Sequence, residues 1–238
     1  MGMTYVLIMG GLVSILGTMI GAVLGTSIRN PSNKLIGCLI GFAGGLMLSV
    51  VVFELIPQSI TSWSFLGTIM FCVIGVLITS LMDVKTSGNF TDSKKKVAFL
   101  VAAGLMFHNF PEGIIMGCGF AAGGALGIKM AVIICIHDIP EGIAVAAPLM
   151  AYKEKKSKIL LYSLLTALPT AAGTYIGIIA GNVSQNILGI CVSVASGIML
   201  YVVCGEMMPE SRKLSESIST TMGTIVGIIL GLIITNVL

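Results

Sequence analysis

The sequence predicts an all-α polytopic membrane protein, with eight transmembrane helices in a 3+2+3 inverted-repeat bundle and both termini outside. Three observations lead there: a strongly apolar composition, apolar runs that are continuous rather than alternating, and two pairs of internally repeated segments.

Of the 238 residues, 56% are hydrophobic and 10% charged, whereas a soluble domain carries about 25% charged residues. Helices in water need a polar outer face, and long stretches of this chain have none. A helical span takes roughly 20 apolar residues, and lipid admits only helices or closed barrels, because unsatisfied backbone groups are too costly there. The strands of a barrel alternate apolar and polar residues over about ten positions, so continuous runs exclude one. The net charge of +3 is accounted for by loop lysines, so lipid is the expected partner and nucleic acid is not.

Polar punctuation separates eight apolar segments at 3–27, 34–56, 62–84, 96–122, 126–151, 156–181, 186–208 and 218–237, in a single transmembrane domain over 1–238. The first run lacks a basic leader and is too long for a signal-peptide core, so it is expected to be a retained helix. The longer connections are expected at Lys85–Lys96 and Met208–Ser217. Twelve of the thirteen basic residues fall in the loops after segments 1, 3, 5 and 7, leaving only Lys129 on the other side. Basic loops stay in the cytoplasm, which places both termini outside. Cys38, Cys72, Cys118, Cys135, Cys191 and Cys204 lie in apolar runs without CxxC spacing and read as small buried hydrophobes. Asn182-Val-Ser184 has the form of a glycosylation acceptor in a very short loop.

Gly45-Leu-Met-Leu-Ser-Val-Val-Val-Phe-Glu54-Leu-Ile-Pro57-Gln-Ser59 aligns without gaps to Gly197-Ile-Met-Leu-Tyr-Val-Val-Cys-Gly-Glu206-Met-Met-Pro209-Glu-Ser211, with eight of fifteen positions identical. His108-Asn-Phe-Pro-Glu-Gly-Ile114 in segment 4 matches His137-Asp-Ile-Pro-Glu-Gly-Ile143 in segment 5. Each pair joins helices of opposite direction, and inverted repeats place a transporter's site near the midplane at their interface. The offsets differ, 197 − 45 = 152 and 137 − 108 = 29. Segments 1–3 are therefore expected to mirror 6–8 about a central pair.

The two histidines occupy the same place in HxxPEG. Residues four apart share a helix face about 6 Å apart along the axis, so His108 with Glu112, and His137 with Glu141, each form half of a chelate. Charged groups at membrane depth persist where they meet a partner, a wet cavity or an ion. Imidazole with carboxylate suits zinc, iron, manganese or cadmium, while magnesium and calcium prefer all-oxygen sites. Protonated, hydrogen-bonded glutamic acids or a His/Glu proton relay are the alternatives. Pro111 and Pro140 each remove a backbone donor beside these residues.

The paired HNxPEG and HxxPEG helices, with the Glu-x-x-Pro endings of segments 2 and 7, resemble the ZIP (Zrt/Irt-like) family of metal-ion transporters over the whole chain. The resemblance implies a two-metal centre, one site from His108, Glu112, His137, Glu141 and Met47, the other from Asn109, Asp138 and the same two bridging glutamates. Many relatives carry a Glu where Thr166-Ala-Leu-Pro-Thr170 has Thr170, and a His where Gly205 precedes Glu206. Glu206 and Glu210 then form an acidic release step at the inner mouth. Inverted symmetry puts Glu54 at the outer mouth, either as a receiving carboxylate or as a helix-end Glu among headgroups. Zinc is the first-choice cargo, with Fe2+, Mn2+ or Cd2+ as alternatives, and no resident cofactor is expected. A homodimer is the expected assembly and the plasma membrane the expected location, with transport into the cytoplasm. An intramembrane metalloenzyme, which HExxH would have signalled, and a passive ion channel are the competing readings.

Overall fold

The computed structural model describes residues 3–27, 32–86, 106, 109–122, 124–151 and 154–237. Among the described residues there are eight helices and no strand. They are α1 (Met3–Ser27), α2 (Asn33–Ser62), α3 (Phe65–Thr86), α4 (109–121), α5 (Ala125–Ala151), α6 (Lys156–Val183), α7 (Gln185–Leu214) and α8 (Ile218–Val237). Four of them, α2, α6, α7 and α8, are long and apolar enough to cross a membrane.

Two helices run further than the sequence suggests. α2 continues past Pro57 to Ser62, and α7 past Pro209 to Leu214. In a regular helix a proline ring collides with the carbonyl four residues back. Here the residues before each proline form a π-helical turn, Val51–Leu55 and Val202–Met207. Its wider hydrogen bonds, Ile56 N–H to the Val51 carbonyl and Met208 N–H to the Val203 carbonyl, absorb the fault. The connection expected over Met208–Ser217 therefore shrinks to residues 215–217. The connection expected at Lys85–Lys96 lies outside the described residues beyond Thr86.

Close helix packing follows the repeat. Gly142 of α5 lies against the Thr18 carbonyl of α1, and Gly113 of α4 against the Thr170 carbonyl of α6; a Cβ at either glycine would collide with that oxygen. The contacts are copies, since 142 − 113 = 29 and 170 − 18 = 152. Gly45 of α2 likewise meets the Thr224 carbonyl of α8, and Gly197 of α7 the Cys72 carbonyl of α3, with 197 − 45 = 152 and 224 − 72 = 152. Small residues let helix backbones approach in lipid, where dispersion and interhelical hydrogen bonds replace the hydrophobic drive. Two such bonds cross between α2 and α7: Ser59 Oγ donates to the Gly189 carbonyl (2.9 Å) and Ser211 Oγ to the Gly37 carbonyl (2.7 Å). They too are 152 residues apart at both ends. So are the N-caps, where Ser32 Oγ accepts from Leu35 N–H and Ser184 Oγ from Ile187 N–H. Ser184 of the glycosylation-like triplet is thus a capping residue.

The bundle is apolar on the outside, and its largely apolar core also holds a set of buried hydroxyls and acids. Leu12, Leu16, Leu66, Leu77, Ile229 and Ile233 are among many exposed large side chains, while Ser14, Thr18, Thr166, Thr170, Thr174 and Ser193 are buried. Exposed apolar surface on that scale marks a membrane-facing wall. Of the six cysteines expected to be buried, Cys118 is, Cys38, Cys72, Cys135 and Cys191 are half-buried, and Cys204 is exposed on the π-helical turn of α7.

Candidate metal centre

α4 and α5 each carry a copy of the repeated motif on a buried stretch. Asn109 and Glu112 on α4, and Asp138 and Glu141 on α5, are all buried, Glu112 and Asp138 to within 1% of complete. Residues three apart share a helix face, so each helix presents an amide or carboxylate together with a glutamate. His108 lies outside the described residues; His137 lies on α5, but its side chain is likewise not described.

The helices flanking the motif explain the burial. The glycine after each glutamate is where the neighbouring backbone arrives, α6 at Gly113 and α1 at Gly142, and Gly17 of α1 packs on the Cβ of Asp138. α6 also fixes Asn109, whose Nδ2 donates to the Thr166 carbonyl at 2.7 Å. That bond commits the amide nitrogen and leaves Oδ1, a buried acceptor, with no hydrogen-bond donor among the described residues. A buried acceptor without a donor costs roughly 1–3 kcal/mol. A cation is one group that would complete it.

Thr170, which stands where many relatives have Glu, is completely buried one turn beyond Thr166, with its Oγ1 3.1 Å from Ser14 Oγ of α1. Its backbone contact with Gly113 places it beside Glu112. In place of a carboxylate, this position contributes a hydroxyl already engaged with α1.

Met47 and Glu112 line one small cavity, with Met130, Met199, Leu55 and Ile115 among its other walls. About 10 Å3 of it is open to the centre of a water molecule, close to the least that holds one water. Of these methionines the family resemblance marks Met47 alone. Met199 could have been found from the repeat, since it aligns with Met47, whereas nothing in the sequence marks Met130. The contacts of Thr166 and of the motif glycines leave no mark in the sequence, whereas Thr18 is related to Thr170 by the 152-residue offset of the repeat.

Among the described residues no three His, Cys, Asp or Glu side chains come together as a metal site, and the remaining predicted residues lie on α2 and α7. Glu54 sits in the π-helical turn of α2, seven residues and about 10 Å of helix rise beyond Met47. It forms an ion pair with Lys129 at 3.2 Å, with both side chains mostly buried. Glu206 occupies the matching turn of α7 and is half-buried. Glu210 is exposed and pairs with Lys213 at 3.4 Å.

Comparison with known proteins gives this arrangement its context. The family model described as ZIP Zinc transporter matches residues 84–238. The chain belongs to the ZIP family of zinc transporters. Its similarity to the zinc transporter ZupT of Escherichia coli is 28% identity over 212 residues, covering 82% of each chain. A putative zinc transporter of Arabidopsis thaliana is 29% identical over 136 residues, which are 56% of this chain and 21% of that protein. The ZIP chain is therefore a membrane protein of a metal-ion transporting family, and a divalent metal is its transported substrate.

Proposed function

We propose that residues 1–238 form one transporter domain that crosses the plasma membrane eight times in a 3+2+3 inverted-repeat plan, both termini outside, and carries Zn2+ into the cytoplasm. Fe2+, Mn2+ and Cd2+ share the ligand chemistry and are the alternative cargoes. The observation that carries this reading is the burial of Asn109, Glu112, Asp138 and Glu141 at matched positions of two adjacent helices inside an apolar bundle. The 152- and 29-residue relations among the close contacts support the plan.

In this reading His108, Glu112, His137, Glu141 and Met47 hold one ion. Asn109 and Asp138 hold a second, with Glu112 and Glu141 bridging. Two carboxylates in a dry interior repel one another and lose hydration, and a dication offsets both costs, so the centre favours a doubly charged guest. The neutral Oδ1 of Asn109, already aimed by Thr166, adds a ligand without adding charge. Cargo must also leave. Thr170 in place of a glutamate weakens the second site, and Glu206 and Glu210 offer carboxylates for release on the inner side. The chain binds its metal as cargo with no resident cofactor, and a homodimer is the proposed assembly.

The test is uptake of radiolabelled metals into proteoliposomes, with and without a pH gradient. Saturable, zinc-preferring accumulation is expected. Current without saturation would mean a channel, and metal-dependent turnover of an organic substrate without uptake would mean an intramembrane enzyme.

A further inference from the structure

The ammonium of Lys129, the lone basic residue on the predicted outer side, is fully engaged. Its Nζ lies 3.3 and 3.2 Å from the two oxygens of Glu54 and 3.0 Å from the carbonyl of Thr235. A lysine has three donors, and here each has an acceptor. The clamp ties three elements together: the π-helical turn of α2, the first turns of α5 and the last turn of α8.

The residues next in sequence to the ion pair are the ones that matter for a route. Leu55 follows Glu54 and Met130 follows Lys129, and both line the cavity that holds Met47 and Glu112. Holding Glu54 to Lys129 therefore also holds two apolar walls of the chamber next to the central carboxylates. Glu54 has the counterpart Glu206, but the counterpart of Lys129, at 129 − 29 = 100, is Leu100.

We propose that Lys129 is a tethered cation that occupies the outer-mouth carboxylate Glu54, so that an arriving divalent metal must displace it, and that this exchange loosens Leu55 and Met130 from the chamber. The proposal rests on the reading of Glu54 as the receiving carboxylate. It gives the outer mouth a selectivity step: a monovalent ion carries no more charge than the ammonium it would replace, while a dication carries twice as much and displaces it more readily. The bound lysine also keeps the mouth from standing open as a bare anionic site when metal is scarce.

The experiment is zinc uptake by proteoliposomes of the full chain, read as half-saturating concentration and maximal rate per transporter. Lys129→Met is expected to lower the half-saturating zinc concentration by up to about fivefold, the upper end of what a single charge pair contributes near a surface. Lys129→Arg keeps the clamp and should stay near the parent. Glu54→Gln should raise the half-saturating concentration and abolish the gain from Lys129→Met in the double variant. If Lys129→Met does not reach the membrane, Lys129→Gln, which still bonds the Thr235 carbonyl, carries the same expectation. A purely structural pair would lower the yield of transporter with half-saturation unchanged. That result, or effects of Lys129→Met and Glu54→Gln that simply add, overturns the clamp while leaving parent transport intact. A parent that takes up no zinc overturns the transport reading, and the clamp with it.

Discussion

Gly113→Ala tests whether the glycine of the motif is there to let α6 reach the metal centre. A Cβ at residue 113 would lie 2.8 Å from the carbonyl carbon of Thr170 and 2.9 Å from its Cα, and closer still to its oxygen. Backbone cannot rotate aside as a side chain does, so α6 must retreat by on the order of 1 Å to restore van der Waals contact. Overpacking of this kind costs roughly 1–3 kcal/mol, and the better helix propensity of alanine returns up to about 1. The retreat also stretches the 2.7 Å bond from Asn109 Nδ2 to the Thr166 carbonyl one turn away, a further loss of about 1 kcal/mol. The net expectation is a loss of about 1–3 kcal/mol in stability. Metal ligands tolerate about 0.2 Å of displacement, so zinc affinity should fall at least about tenfold, or 1.4 kcal/mol. The assays are thermal unfolding of the purified protein with and without zinc, and a zinc titration. Gly205→Ala is the control, since its nearest new contact would be 3.5 Å away at Tyr201. Parent-like stability and affinity in Gly113→Ala would refute the claim that this contact positions the centre.

Thr170→Glu should raise the metal bound per chain and slow turnover, because it adds a carboxylate beside Glu112 in a partly dehydrated site. An unchanged stoichiometry and affinity would mean that α6 does not serve the centre at this position. A cysteine placed at Ala125 should be labelled by an impermeant thiol reagent from outside and one at Ser93 should not; the reverse pattern would overturn the orientation and with it the assignment of Glu54 to the outer mouth.

Much of this was legible in the sequence because lipid leaves few options. Continuous apolar runs announce helices, and the matched Glu, Pro and His residues announce a repeat that chance apolar similarity would not supply. The limits of α2 and α7 were not legible: Pro57 and Pro209 read as helix ends, and only hydrogen bonding shows that a π-helical turn carries each helix through. Helix contacts were hidden for a different reason. Gly113 and Gly142 read as the last letters of a motif, while their role depends on carbonyls of α6 and α1 that are remote in sequence. Glu54 stands out in the sequence through the repeat, but an ion pair across 75 residues leaves no local pattern, so Lys129 reads only as the exception to a charge bias.

The central claim is that Glu112 and Glu141 together hold the transported metal. Zinc uptake by proteoliposomes of Glu112→Ala and Glu141→Ala, compared at equal transporter density with the parent, tests it most directly. Each variant should lose uptake to background, since each removes a carboxylate proposed to touch both ions; the side chains left on the same helix faces, Asn109 and Asp138, are proposed to serve the second ion alone. Near-parent uptake by either would contradict the account.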